Sequence, residues 1–280
     1  MVDGTMDRPP QTETPSRCEG VSRYARRSMP DAREVHATVS GPASQLALAG
    51  LLGTARLRTY ASVTGGDLAR AGDLYLWATQ LAGALHAQLS FVEIAVRNAI
   101  DTRLRELALL DGSLPDWTTE GATPEAVYTL LRRQLADARS RASVAAAERG
   151  TRHQRSGEGA THDDVVAQLM FGAWVKLIRP VSRTESAGRQ QRLWRDALRH
   201  AFPNASGDDA GRIAIGKQLE TLRRLRNRVA HHDNLLEVDV RHRMNGMLSV
   251  LATIDDEYPS LAASKSTLRR LVREDPRRAW

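Results

Sequence analysis

The chain has 280 residues, enough for one sizeable hydrophobic core. Hydrophobic residues make up 41% and aromatics only 5%, with alanine, leucine and arginine dominant, which favours helices over sheets. The formal net charge of +7 points first to a nucleic-acid partner, but the only lysines are Lys176, Lys217 and Lys265, and an arginine bias of this kind also follows from base composition.

Cys18 is the single cysteine, so no disulfide framework exists and a reducing compartment fits. No stretch approaches the ~20 apolar residues of a membrane span, and the N-terminus lacks the apolar segment of a secretory signal. These features predict a cytoplasmic protein without a membrane partner.

Residues 1–44 hold Pro9, Pro10, Pro15, Pro30 and Pro42 with little periodicity, the composition of a disordered arm. Arg23, Arg26 and Arg27 there read as a solvated tail more readily than as a nucleic-acid contact. A short helix is expected over 46–57 and a turn over 63–67, with Asp67 a helix cap. A long helix follows over 68–110, with a possible break near Gly83. Leu74, Ala78, Leu81, Leu85, Leu89, Val92, Val96 and Ile100 keep one apolar face, while His86, Ser90, Glu93 and Arg97 form a polar stripe. Glu93 and Arg97 can pair across one turn.

A loop with Trp117 leads to a helix opened by Pro124 at its first position and running to about residue 149. Residues 150–162 read as a mobile loop, with His153 and His162 incidental. Asp163 is expected to cap one helix over 163–179, ended by Pro180, with Phe171 and Trp174 in the core and Gly172 permitting close helix approach. Further helices are expected over 190–201 and 238–256, with Asp208 or Asp209 capping a helix between them. The core domain is thus 45–258. Residues 259–280 form a C-terminal helical appendage with a frayed end.

The helix between carries the chemistry. Ile215, Leu219, Leu222 and Val229 recur at helical spacing, with Arg226 on that stripe where a hydrophobe is expected. Asn227, His231 and His232 follow, and Asp233 and Asn234 end the helix. Arginine matches phosphate oxygens with a planar fork, and histidine titrates near neutrality. Metal-free RNA cleavage needs a base for the ribose 2′-hydroxyl, an acid for the leaving 5′-oxygen and a cation for the phosphate. His231 can serve as base or acid, Arg226 can grip the phosphate, and Asn227 can fix the imidazole or the phosphate. His232 is a rival to His231. The plain alternative is a helix C-terminus stabilised by nearby cations.

Other chemistries lack their motifs. The chain has no GxxxxGK[ST] phosphate loop, no HExxH, no paired CxxC and no GxSxG elbow. His231, His232 and Asp233 are adjacent rather than turn-spaced, a poor metal site. No cofactor and no metal are expected.

The run RNRVAH at 226–231 resembles the R-N-x-x-x-H signature of HEPN domains, and RNRVAHHDNL resembles its form in the Abi-like (AbiD/AbiF-type) branch. The segments FVEIAVRNAI at 91–100 and MFGAWVKL at 170–177 agree with that branch and come in the same order. The resemblance spans roughly 55–258. It implies an all-α HEPN-type bundle and an RNA endonuclease of anti-phage abortive infection or of a toxin–antitoxin system. It also implies that Glu93 and Arg97, with the neighbouring Asn98, face the motif helix and orient Arg226 and His231. The alternative is a catalytically silent HEPN module that binds RNA or a protein partner.

One geometric difficulty stands. Five helical residues turn a side chain by ~500°, leaving Arg226 and His231 about 140° apart. Either the helix loosens near Ala230 and His231 swings inward, or two chains pair across one cleft. The resemblance implies the second, a homodimer with a composite site.

Overall fold

The computed structural model describes residues 41–112, 114–182 and 185–280. Cys18, Arg23, Arg26 and Arg27, and nearly all of the expected arm, lie outside the described residues. Among those described there are eleven α-helices, two 3-10 turns and no strand, so the chain is all-α as expected.

One helix organises the rest. α3 (Leu68–Leu110) runs for 43 residues and starts where Asp67 accepts hydrogen bonds from the backbone N–H groups of Ala69 and Arg70. The expected break at Gly83 does not occur. A lone helical glycine costs about 1 kcal/mol. Against that, Leu74, Leu81, Leu85, Leu89, Val92, Val96, Ile100 and Leu104 are all buried on one face, each contributing roughly 1.5 kcal/mol or more.

Before it, the helix expected over 46–57 is two, α1 (Pro42–Leu52) and α2 (Thr54–Val63), parted at Gly53 with φ of 72°. Leu57 and Tyr60 of α2 are buried, and the Tyr60 ring meets Tyr75 of α3 edge-on at 5.3 Å.

α4 (Glu125–Ala147) begins one residue after Pro124, which is its cap rather than its first turn. The helix expected over 163–179 is also two, α5 (His162–Gln168) and α6 (Phe171–Ile178), separated by extended backbone at Leu169 and Met170. Thr161, not Asp163, caps α5. Its hydroxyl and the Asp164 carboxylate exchange hydrogen bonds with each other's backbone N–H, a capping box.

α7 (Gly188–Asp196) and a 3-10 turn (Leu198–Ala201) precede α8 (Asp209–Ala230). Asp208 caps α8 by accepting from Gly211 N–H at 2.9 Å. A Cβ on Gly211 would collide with the Ser206 carbonyl, and one on Gly216 would stand 3.1 Å from Arg179 Cβ. The close approach expected at Gly172 is not there, since its Cβ would find only ordinary contact with Arg223 at 3.7 Å.

α9 (Val240–Ile254), α10 (Tyr258–Ala263), α11 (Leu268–Arg273) and a 3-10 turn (Pro276–Ala279) complete the chain. α8 and α9 both pack on α3. The C-terminal helices are tied to α3 as well. The Trp77 indole donates to Leu271 O at 2.8 Å and Gln88 donates to Ala262 O at 3.0 Å. The terminus expected to fray is held at Arg277, whose guanidinium lies 5.5 Å over the Trp77 ring and donates to Leu236 O. No helix among the described residues is long and apolar enough to cross a membrane.

Candidate functional site

Ile215, Leu219, Leu222, Leu225 and Val229 form the buried stripe of α8. Leu225 keeps the helical step between Leu222 and Val229, so the stripe has no gap. Arg226 sits beside it, half-buried, rather than in it. From there its Nε meets Glu93 Oε2 of α3 at 3.6 Å, with both side chains about a quarter exposed, at 26% and 24%. The contact is single-point. No hydrogen bond from a described residue occupies the Arg226 fork, so its two terminal nitrogens stay available to a planar anion.

The other expected positioning residues behave differently. Glu93 pairs across to Arg226 instead of with Arg97 one turn away. Arg97 turns to Asn98, donating from Nε to Oδ1 at 3.4 Å. Asn98 is exposed and lines an apolar cleft of about 440 Å³ with Phe91, Ile94, Tyr258 and Leu261, away from Arg226.

The helix end is set by His232. Its φ is 54°, in the left-handed region, and it is the only such non-glycine residue described. His232 N–H donates to Val229 O and Asp233 N–H to Arg228 O, the paired bonds that close a helix around a left-handed residue. Asp233 and Asn234, expected to stop the helix, merely follow. A β-carbon is costly at such a φ and glycine is not. His232→Gly should therefore stabilise the fold by about 1 kcal/mol, read as a higher urea midpoint with an unchanged slope.

His231 precedes that turn and keeps near-helical backbone, its N–H donating to Asn227 O at 2.9 Å. The helix does not loosen ahead of it, so the 140° separation from Arg226 persists within one chain. The His231 and His232 side chains are exposed, and neither imidazole has a hydrogen bond or ion pair with a described residue. The structure thus joins Arg226 to Glu93 and Arg97 to Asn98, and does not join His231 to Arg226.

The most heavily partnered of the described histidines is His162, expected above to be incidental. It is buried at the start of α5, where Nδ1 meets Asp116 at 2.8 Å and Nε2 meets Asp101 at 2.8 Å. Asp101 also accepts from the Trp117 indole at 2.7 Å and from Arg105 at 2.9 Å. Burial opposes charge on His162, yet the hydrogen bonds to Asp101 and Asp116 raise its pKa above the ordinary value. Asp116, despite partial desolvation, is pulled down to about 2 by Thr118, His162 and Thr119. The Thr161–Asp164 capping box was the one local signal that a helix starts here.

A second cleft, of about 480 Å³, opens between α4, α6 and α8 and is edged by arginine and lysine. Among the described residues no group of three or more His, Cys, Asp or Glu side chains is placed to hold a metal ion. In comparisons with known proteins, no family model, no curated protein and no solved structure matches this chain.

Proposed function

We propose that the chain is a metal-independent RNA endonuclease of the HEPN type, acting in the cytoplasm in abortive infection or as a toxin held in check by a partner. The observation that carries this reading is the contact between Arg226 and Glu93. A half-buried arginine is held by the carboxylate of the neighbouring helix with its fork open, five residues before an exposed histidine at the helix end. That is the pairing of helices the motif resemblance implies.

In the reaction, the base withdraws the proton of a ribose 2′-hydroxyl, whose oxygen attacks the adjacent phosphorus. The bond from phosphorus to the 5′-oxygen breaks, and the acid protonates that oxygen. The products are a 2′,3′-cyclic phosphate and a 5′-hydroxyl. His231 supplies the proton transfer, Arg226 the charge at the phosphate, and Asn227 a hydrogen bond to either. DNA lacks the nucleophile and is not a substrate. Because Arg226 and His231 of one chain diverge, the working site pairs Arg226 of one protomer with His231 of its partner in a homodimer.

Labelled RNA incubated with the protein in EDTA should be cleaved, leaving a 2′,3′-cyclic phosphate or its opened 3′-phosphate. Strict dependence on a divalent ion, or 5′-phosphate ends, would show this mechanism wrong. One observation favours a second reading, a silent module that binds RNA or a protein. A catalytic base is normally oriented by a third group, and the His231 imidazole has none among the described residues. RNA retained without cleavage by the dimer would select that reading.

A further inference from the structure

The cleft between α4, α6 and α8 is edged by five cations, Arg141, Lys176, Arg179, Arg223 and Arg224, against the carboxylates of Asp137 and Glu220. Glu220 does not neutralise its share. One carboxylate accepts from Arg223 through Nε and Nη2, at 2.8 and 2.9 Å, and from Arg224 Nε at 2.9 Å. The Arg223 hydrogen bonds outweigh burial and hold its pKa at about 2, so it stays charged and fixes two guanidinium groups in place.

Across the cleft, Lys176 and Arg179 are half-buried and have no acidic partner among the described residues. Among the described residues Arg141 donates only to the Gln168 carbonyl, at 2.9 Å. Half-buried cations without anions carry a desolvation cost that an anionic ligand relieves.

The cleft also has a direction. Glu220, Arg224, Asn227 and His231 recur at steps of four, three and four, which puts them on one face of α8. From Arg224 to His231 the helix turns about 20° short of two full turns and rises roughly 10 Å. Arg226 lies off that face, toward Glu93. At the rim, Met170 and Val181 are 60% and 67% exposed, apolar surface that suits the faces of unpaired bases and has no use for a duplex.

We infer that this cleft binds the phosphate backbone of single-stranded RNA and leads it along the α8 face to His231. The identity of the polymer as RNA rests on the ribonuclease reading above; the anion chemistry does not.

The test uses the full chain carrying His231→Ala, so that binding is read without cleavage. Anisotropy of a labelled unstructured oligoribonucleotide is followed across a salt series. Lys176→Gln with Arg179→Gln should weaken binding at least tenfold and flatten the plot of log affinity against log salt by roughly 1.4, two lost single-strand phosphate contacts. Arg141→Gln, at an exposed position where folding is not at stake, should weaken binding severalfold. Arg56→Gln with Arg58→Gln, two exposed arginines of α2, should change neither quantity. A duplex of the same sequence should bind more weakly than the single strand.

Wild-type affinity and slope in both groove variants would overturn the inference, as would an equal loss in the α2 control or no RNA binding by the parent protein. The two readings separate cleanly. RNA held through the groove by a protein that never cleaves leaves the groove standing and ends the nuclease reading. Cleavage by the Lys176, Arg179 double variant at wild-type kcat/KM does the reverse.

Discussion

His231→Ala should reduce RNA cleavage by about 10² or more, the usual contribution of a general acid or base, while RNA affinity stays near wild type. The imidazole is exposed and has no hydrogen-bond partner among the described residues, so its removal leaves packing untouched. Arg226→Lys keeps the charge but loses the planar fork and should be nearly as impaired, now with weaker phosphate binding. Glu93→Gln should be milder, because Glu93 meets Arg226 at a single point, 3.6 Å away, and positions it without touching substrate. The control at the adjacent histidine is His232→Gly, which removes the imidazole and also the β-carbon that His232 carries at φ of 54°. That control should cleave normally.

The divergence of Arg226 and His231 gives this series a sharper arm. Neither His231→Ala nor Arg226→Ala dimers should cleave alone. Mixed and re-equilibrated, half the dimers become heterodimers with one intact composite site, so activity should return to about a quarter of wild type. Cleavage rate, RNA affinity and circular dichroism on all the proteins decide it. Normal cleavage by His231→Ala alongside a dead His232→Gly would move the assignment by one residue. Normal cleavage by both would leave the binding-module reading.

What could be read from the sequence was local. The capping Asp67 and the stripe from Leu74 to Ile100 announce α3 because a cap and a periodic face are both written in consecutive residues. The same holds for Asp208 and α8. The break between α5 and α6 was not readable, since apolar residues continue through Leu169, Met170 and Phe171 and only the extended backbone at Leu169 and Met170 shows the division. Arg226 was misplaced by one register because Leu225, its buried neighbour, fits the stripe equally well. The basic cleft draws on α4, α6 and α8 and has no signature in any one of them. The Glu93 to Arg226 pairing joins two helices far apart in the chain, and spacing alone could not place it.

His162 is the clearest case of a residue with no local signature, its partners lying 46 and 61 residues away, and it carries the second large effect. His162→Ala should destabilise the fold by roughly 2–3 kcal/mol, because the Asp101 and Asp116 carboxylates are left facing a void where an imidazolium donated to both. The loss stays below the upper range for a broken buried pair. Asp101 keeps Trp117 and Arg105, and Asp116 keeps Thr118 and Thr119 and is partly exposed. The effect should also depend on pH. His162 has its folded pKa raised above 6.5, so its contribution is complete below 6.5 and fades as pH rises through the folded value. Asp116 works the other way: its contribution is complete above 3.8 and fades as pH falls toward about 2. Arg105 opposes the imidazolium but is itself held by Asp101 and Asp163. The Arg105 pKa is raised and that of Asp101 lowered, so neither of these two changes charge between pH 5 and 9. The wild-type advantage over His162→Ala should therefore be widest near pH 5 and shrink toward pH 9, measured as the gap between urea midpoints. A gap of constant width across that range would mean that His162 titrates alike in the folded and unfolded chain and that its two aspartates do not hold a proton on it, and a gap that widened with pH would mean a neutral imidazole in the folded state.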